Sequence, residues 1–138
     1  MTVRVLVADD HPLVRGALVD LFAATGDISV VAVCEDGAEV LAAAERTRPD
    51  VVLLDQCMPR ASGLEATRAL TAAGLPSRVV LLTGSFSAAS VREAHACGAV
   101  GYLLKEDDPG QLPQRVRDVA AGGTAWSAPA AASLLDSA

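Results

Sequence analysis

The chain predicts an α/β fold, a doubly wound five-stranded parallel sheet, and three observations carry that expectation. Short apolar runs alternate with helix-patterned segments along the 138 residues. The links between them are short, which implies right-handed crossovers between parallel strands. The runs themselves, such as Val51-Val52-Leu53-Leu54 and Val79-Val80-Leu81-Leu82, lack polar alternation, as strands covered on both faces do.

The elements follow in order. The first strand covers residues 3–8, and a helix over residues 12–24 places Leu13, Ala17 and Leu21 at helical spacing. Residues 28–33 form the second strand and residues 37–46 a second helix. The third strand ends at Asp55, and the loop Met58-Pro59-Arg60-Ala61-Ser62-Gly63 leads into the third helix. Pro76 breaks the chain before the fourth strand. A helix over residues 87–97 precedes the fifth strand, residues 100–104. Residues 109–121 form the last helix, with Pro109 in its first turn and Gly122-Gly123 as its stop. The predicted domain therefore spans residues 1–122. Residues 123–138 are an Ala/Ser-rich tail or the start of a linker, with an apolar patch at Leu134-Leu135 and Trp126 expected to cover apolar surface. No internal repeat is visible.

Composition narrows the function classes. The chain is long enough for one domain with a real core. It is 51% hydrophobic but only 3% aromatic, so Val, Leu and Ala must fill that core. A net charge of −6 argues against this segment gripping a nucleic-acid backbone, which needs a basic surface. Cys34, Cys57 and Cys97 are odd in number and share no metal-ligand spacing, so reduced thiols in a cytoplasm are expected. No apolar stretch approaches the roughly 20 residues a bilayer crossing needs, and no signal peptide precedes the first strand. Arginine used almost to the exclusion of lysine, with no asparagine, points to a GC-rich bacterial genome.

The strand ends carry the chemistry. The first apolar run meets Asp9-Asp10, the third meets Asp55, the fourth meets Thr83, and the fifth meets Lys105, the single lysine of the chain. In a parallel sheet the ligand site lies beyond the carboxyl ends of the strands. Acids, hydroxyl and cation thus converge on one rim, which suits a divalent metal and a phosphoryl group. Each residue also has a plainer reading. Asp9-Asp10 ahead of Pro12 could cap a helix, Lys105 could be a solvated charge, Thr83 could bond its own backbone, and Tyr102 could be packing. His11 is read as a loop residue beside the acids, and Cys57 as a small filler at the mouth of the site. The acids and the lone lysine in register at successive strand ends are what the plainer readings leave unexplained.

Asp-Asp after the first strand, Asp-x-x-Met-Pro-x-x-x-Gly after the third, Thr after the fourth and Lys after the fifth resemble the receiver domain of two-component response regulators, over residues 3 to 122. The start Ala8-Asp9-Asp10-His11-Pro12-Leu13-Val14-Arg15 further resembles the NarL/FixJ class, whose members usually carry a C-terminal helix-turn-helix. The resemblance implies a (βα)5 flavodoxin-like sheet of strand order 2-1-3-4-5. It implies Asp55 as phosphoacceptor, a carboxylate nucleophile forming an acyl phosphate. It implies Mg²⁺, replaceable by Mn²⁺, held by Asp10, Asp55 and the Cys57 backbone carbonyl, with Asp9 acting mostly through water. Lys105 would pair with a phosphoryl oxygen and Thr83 would donate to another, while Tyr102 matches the switch aromatic that turns inward when Thr83 moves. The implied partner is a sensor histidine kinase. Homodimerisation is left open, because the apolar faces single out no helix.

Close clustering of three carboxylates supports this, since like charges demand a cation or a proton. There are departures from the family pattern. Glu106 follows Lys105 where many receivers have a cis proline; a non-proline cis bond costs about 2.5–4 kcal/mol, so a trans bond is expected. Cys57 and Ser85 occupy the positions that tune phosphoryl lifetime, and both are small and neutral. The competing reading is a phosphorylation-independent or stand-alone receiver acting through protein contacts. A flavin carrier would need a Ser/Thr/Gly-rich phosphate loop after the first strand. A dehalogenase-like phosphatase would need Asp-x-Asp where Asp55-Gln56-Cys57 stands.

Overall fold

The computed structural model describes residues 2–136; Ser137 and Ala138, the end of the predicted tail, lie outside the described residues. Strands β1 (Val3–Ala8), β2 (Ile28–Cys34), β3 (Val51–Leu54), β4 (Arg78–Thr83) and β5 (Gly101–Leu104) are all parallel. Helices α1 (Pro12–Ala23), α2 (Val40–Thr47), α3 (Gly63–Ala72), α4 (Ala88–Ala96) and α5 (Leu112–Ala120) connect and follow them, α2 and α5 each preceded by a 3₁₀ turn. The expected order 2-1-3-4-5 is present, and a sixth strand extends it: β6 (Ala125–Trp126) pairs with β5.

Strand alternation splits the core into two layers. Leu6, Val52, Leu54 and Leu81 face one side, where Val40 and Ala44 of α2, Leu64 and Leu70 of α3 and Val91 of α4 meet them. Val5, Val7, Leu53 and Val80 face the other, under Leu18 and Phe22 of α1 and Val116 and Val119 of α5. Burial on both faces is why these strands read as unbroken apolar runs.

The segment after Gly123 differs from the expected tail. Ala125 and Trp126 join the sheet, Ser127 donates its backbone N–H to the Tyr102 carbonyl at 3.0 Å, and a sixth helix, α6 (Ala128–Asp136), packs on α4. Gly101 makes room for this. A Cβ there would stand 2.6 Å from the Ala125 carbonyl oxygen, so only glycine lets β6 approach so closely. The apolar patch foreseen in the tail divides: Leu134 packs against the core and Leu135 stays exposed.

Candidate functional site

The site lies at the carboxyl edge of the sheet, where the chain leaves β1 toward one face and β3 toward the other, the switch point at which open α/β sheets bind ligands. Hydrogen bonds continue the ladder one residue past the strands and so fix the site residues. The Asp9 N–H donates to the Cys34 carbonyl at 3.1 Å, Asp55 to Ala8 at 2.9 Å and Lys105 to Thr83 at 2.8 Å.

The side chains converge as the sequence led one to expect. Lys105 Nζ lies 2.8 Å from Asp9 Oδ2 and 3.2 Å from Asp55 Oδ2, bridging two carboxylates that are both buried. Burial works against the charge of Lys105, but its hydrogen bonds to Asp9 and Asp55 outweigh that and hold the ammonium above its usual range. Asp10 is half-buried, and its Oδ1 is a buried oxygen that no hydrogen bond reaches. Asp9, Asp10, His11 and Asp55 each present a donor atom within 4.8 Å of the others.

Thr83 and Cys57 share a cavity of about 380 Å³ with Asp55 and Lys105, whose rim is completed by His11, Val14, Gly84 and Ser85. Thr83 is buried, Cys57 is exposed at the mouth, and the Cys57 N–H lies 3.4 Å from Asp55 Oδ1. Cys34, by contrast, is buried, which pushes its thiol up to about 11. The Lys105–Glu106 bond is trans, as expected.

Tyr102 departs from the picture of a ring that waits outside. It is already buried, 1% exposed, and its hydroxyl donates to the Ser85 carbonyl at 3.2 Å. Burial raises its phenol above the usual range. On its own strand it is paired with Trp126 of β6, whose ring stands 5.9 Å from that of His95 on α4.

One residue that matters here went unnoticed in the sequence. Asp36, at the end of β2, is buried and accepts from the N–H groups of Ala38 at 2.9 Å, Arg60 at 2.8 Å and Ala61 at 2.9 Å. It ties the loop after Asp55 to the turn that follows β2, two strands away across β1. Burial favours the neutral acid, but the three N–H donors outweigh it and hold the carboxyl below its usual range. The signal was present as Asp36-x-x-Glu39, a capping box. Gly63 closes the same loop: a Cβ there would meet the Asp55 carbonyl oxygen at 2.6 Å.

A parallel sheet of this order with an acid–acid–lysine rim defines a receiver module, and the response regulator receiver domain family matches residues 5–117. The chain belongs to that family. It is 38% identical over 133 residues to the uncharacterized transcriptional regulatory protein YxjL of Bacillus subtilis, covering 96% of this chain and 61% of that protein. It is 38% identical to the structure of the signal receiver domain of the putative response regulator NarL from Mycobacterium tuberculosis, with a TM-score of 0.84, covering 88% of this chain and 98% of that one. It is 31% identical to the structure of a LuxR-family two-component response regulator from Aurantimonas, with a TM-score of 0.92 and coverage of 99% and 98%. That last likeness takes in β6 and α6. The chain spans 61% of the length of YxjL, so it corresponds to the receiver part of such a regulator. No helix among the described residues is long and apolar enough to cross a membrane.

Proposed function

We propose that this receiver domain is a phosphorylation-dependent signalling switch in which Asp55 accepts a phosphoryl group from a sensor histidine kinase. The observation that carries the reading is the Lys105 ammonium bridging Asp9 and Asp55 at the rim that also holds Asp10 and Thr83. In the transfer, an Asp55 carboxylate oxygen attacks phosphorus, the O–P bond forms, the P–N bond of a phosphohistidine breaks, and the imidazole leaves with the electron pair. Lys105 then pairs with one phosphoryl oxygen, and the Thr83 hydroxyl donates a charge-assisted hydrogen bond to another. The domain is thus a phosphoryl acceptor that assists its own modification and its reversal, rather than an enzyme acting on a separate substrate.

The donor set fits a hard divalent cation. Asp10 Oδ1 is the kind of buried, partnerless oxygen that a cation completes. Asp10, Asp55 and the Cys57 carbonyl would hold Mg²⁺ or Mn²⁺, with Asp9 acting through water. Such an ion supplies neutralising charge at the transferring oxygens.

Within a longer protein the domain serves as the receiver of a cytoplasmic transcriptional regulator. DNA contact comes from an effector domain and not from this acidic segment. A groove of about 670 Å³ between α1 and the β5–α5 end adjoins the site. Leu13 and Val14 line it together with Leu21, Leu103 and Leu112, and Leu13 is 89% exposed. An amphipathic helix of the kinase fits such an apolar groove, and a second copy of the chain is a further partner. Calorimetry with Mg²⁺, followed by beryllofluoride as phosphoryl mimic, tests the site. Binding should be lost in Asp10→Asn, and unchanged binding there would remove the cation assignment.

A further inference from the structure

His11 is the remaining donor aimed at the acid rim, and none of the steps above uses it. Its Nδ1 lies 3.0 Å from Asp10 Oδ1, 3.1 Å from Asp9 Oδ1 and 3.8 Å from Asp55 Oδ2. The same nitrogen is within hydrogen-bonding distance of Asp9 Oδ1, while Asp10 Oδ1 beside it has no hydrogen-bond partner. A ring nitrogen this close to three carboxylates stands where a cation bound by them could also reach it. In an octahedral site with bonds of about 2.1 Å, adjacent donors are separated by √2 times that length, about 3.0 Å.

The backbone explains why the ring stands there. His11 is the N-cap of α1 and is followed by Pro12, yet its side chain makes no capping hydrogen bond. Its N–H donates instead to Asp9 Oδ1 at 2.8 Å, which turns residue 11 toward the rim. The ring is thus released from the helix and placed over the carboxylates, while 62% of the side chain stays open to solvent. An exposed ligand of this kind can enter and leave the coordination sphere without disturbing the fold.

Resting on the cation site proposed above, we infer that His11 Nδ1 is an additional protein ligand of that site, converting an all-oxygen set into a mixed nitrogen–oxygen one. Oxygen ligands suit Mg²⁺, whereas imidazole favours first-row transition cations such as Ni²⁺, Co²⁺ and Zn²⁺. The site therefore binds those ions more tightly than its carboxylates alone would, and His11 sets the preference between them and Mg²⁺.

The experiment uses the whole chain loaded with Mn²⁺ and labelled with ¹⁵N-histidine. Water-proton relaxation reports whether the ion binds, and electron–nuclear double resonance reports whether a histidine nitrogen touches it. The expected result is a ¹⁵N coupling that disappears in His11→Gln and persists in His95→Gln. In the same variant Ni²⁺ affinity should fall by at least about tenfold, the loss typical even of an outer-shell partner, while Mg²⁺ affinity stays within about twofold. Mn²⁺ binding without histidine coupling, or equal losses for Ni²⁺ and Mg²⁺, would overturn the role of His11 and leave the carboxylate site standing. No Mn²⁺ binding at all would overturn both.

Discussion

The hydroxyl of Tyr102 donates to the carbonyl of Ser85 across 3.2 Å, fastening β5 to the loop that follows Thr83. One residue pair away, Tyr102 faces Trp126 in the β5–β6 ladder, and Trp126 is the single tryptophan of the chain. If Asp55 is phosphorylated as proposed, movement of Thr83 toward the phosphoryl group would strain that loop, and Tyr102 would carry the strain to β6 and α6. Beryllofluoride with Mg²⁺ should therefore shift the Trp126 emission. Tyr102→Phe, which loses one hydrogen bond of about 0.5–1.5 kcal/mol, should fold normally and give a smaller shift. An equal shift in both proteins would disconnect Tyr102 from the tail.

Asp36→Ala leaves three backbone N–H groups, all in part-buried hydrogen bonds, without their acceptor. Each stranded group costs about 1–3 kcal/mol, reduced where water can enter, so a loss of at least about 2 kcal/mol in urea denaturation is expected. The pH dependence has a definite sign. The carboxyl of Asp36 titrates lower in the folded state than its ordinary 3.8, so its contribution is present above that pH and is lost as pH falls through the folded value. Acid unfolding of the wild type should show this component below about pH 4, and Asp36→Ala should lack it.

Glycine substitutions separate close approach from open space. Gly63→Ala drives a Cβ to 2.6 Å from the Asp55 carbonyl oxygen and 2.8 Å from Leu81 Cδ2. Overpacking of that kind costs about 1–3 kcal/mol and displaces the backbone that carries Asp55. Gly16, inside α1, would meet nothing within 4 Å, so Gly16→Ala should raise stability by about 0.4–1 kcal/mol. Thermal melts of the two variants should move in opposite directions.

Leu13→Asp places a charge in the apolar groove beside the site without touching Asp55. Phosphorylation by a small donor should be unaffected, while transfer from a cognate histidine kinase should slow markedly. Equal rates from the kinase in wild type and variant would rule out this groove as its docking surface.

The sheet order and the rim were legible because β1, β3, β4 and β5 are buried along most of their length and each runs into a charged or hydroxyl residue. Asp9, Asp10, Asp55, Thr83 and Lys105 stand where their register puts them. The elements that escaped are those whose signals are tertiary. A two-residue strand at Ala125–Trp126 has no periodicity to read, and it exists because Gly101 leaves space for it. Asp36 is recognisable as a cap, but its hold on Arg60 and Ala61, 24 and 25 residues away, is a product of folding. The burial of Tyr102 is likewise set by its neighbours on α4 and β6 and not by its place in the sequence.

The claim that Asp55 is the phosphoryl acceptor is tested most directly by incubating the chain with acetyl phosphate and Mg²⁺ and measuring intact mass. One phosphoryl group should be added, in the presence of the metal only. Fragmentation or borohydride trapping should locate it at Asp55, and Asp55→Asn should remain unmodified. A wild-type chain that takes no phosphoryl group under these conditions, or carries it on a different residue, would contradict the account.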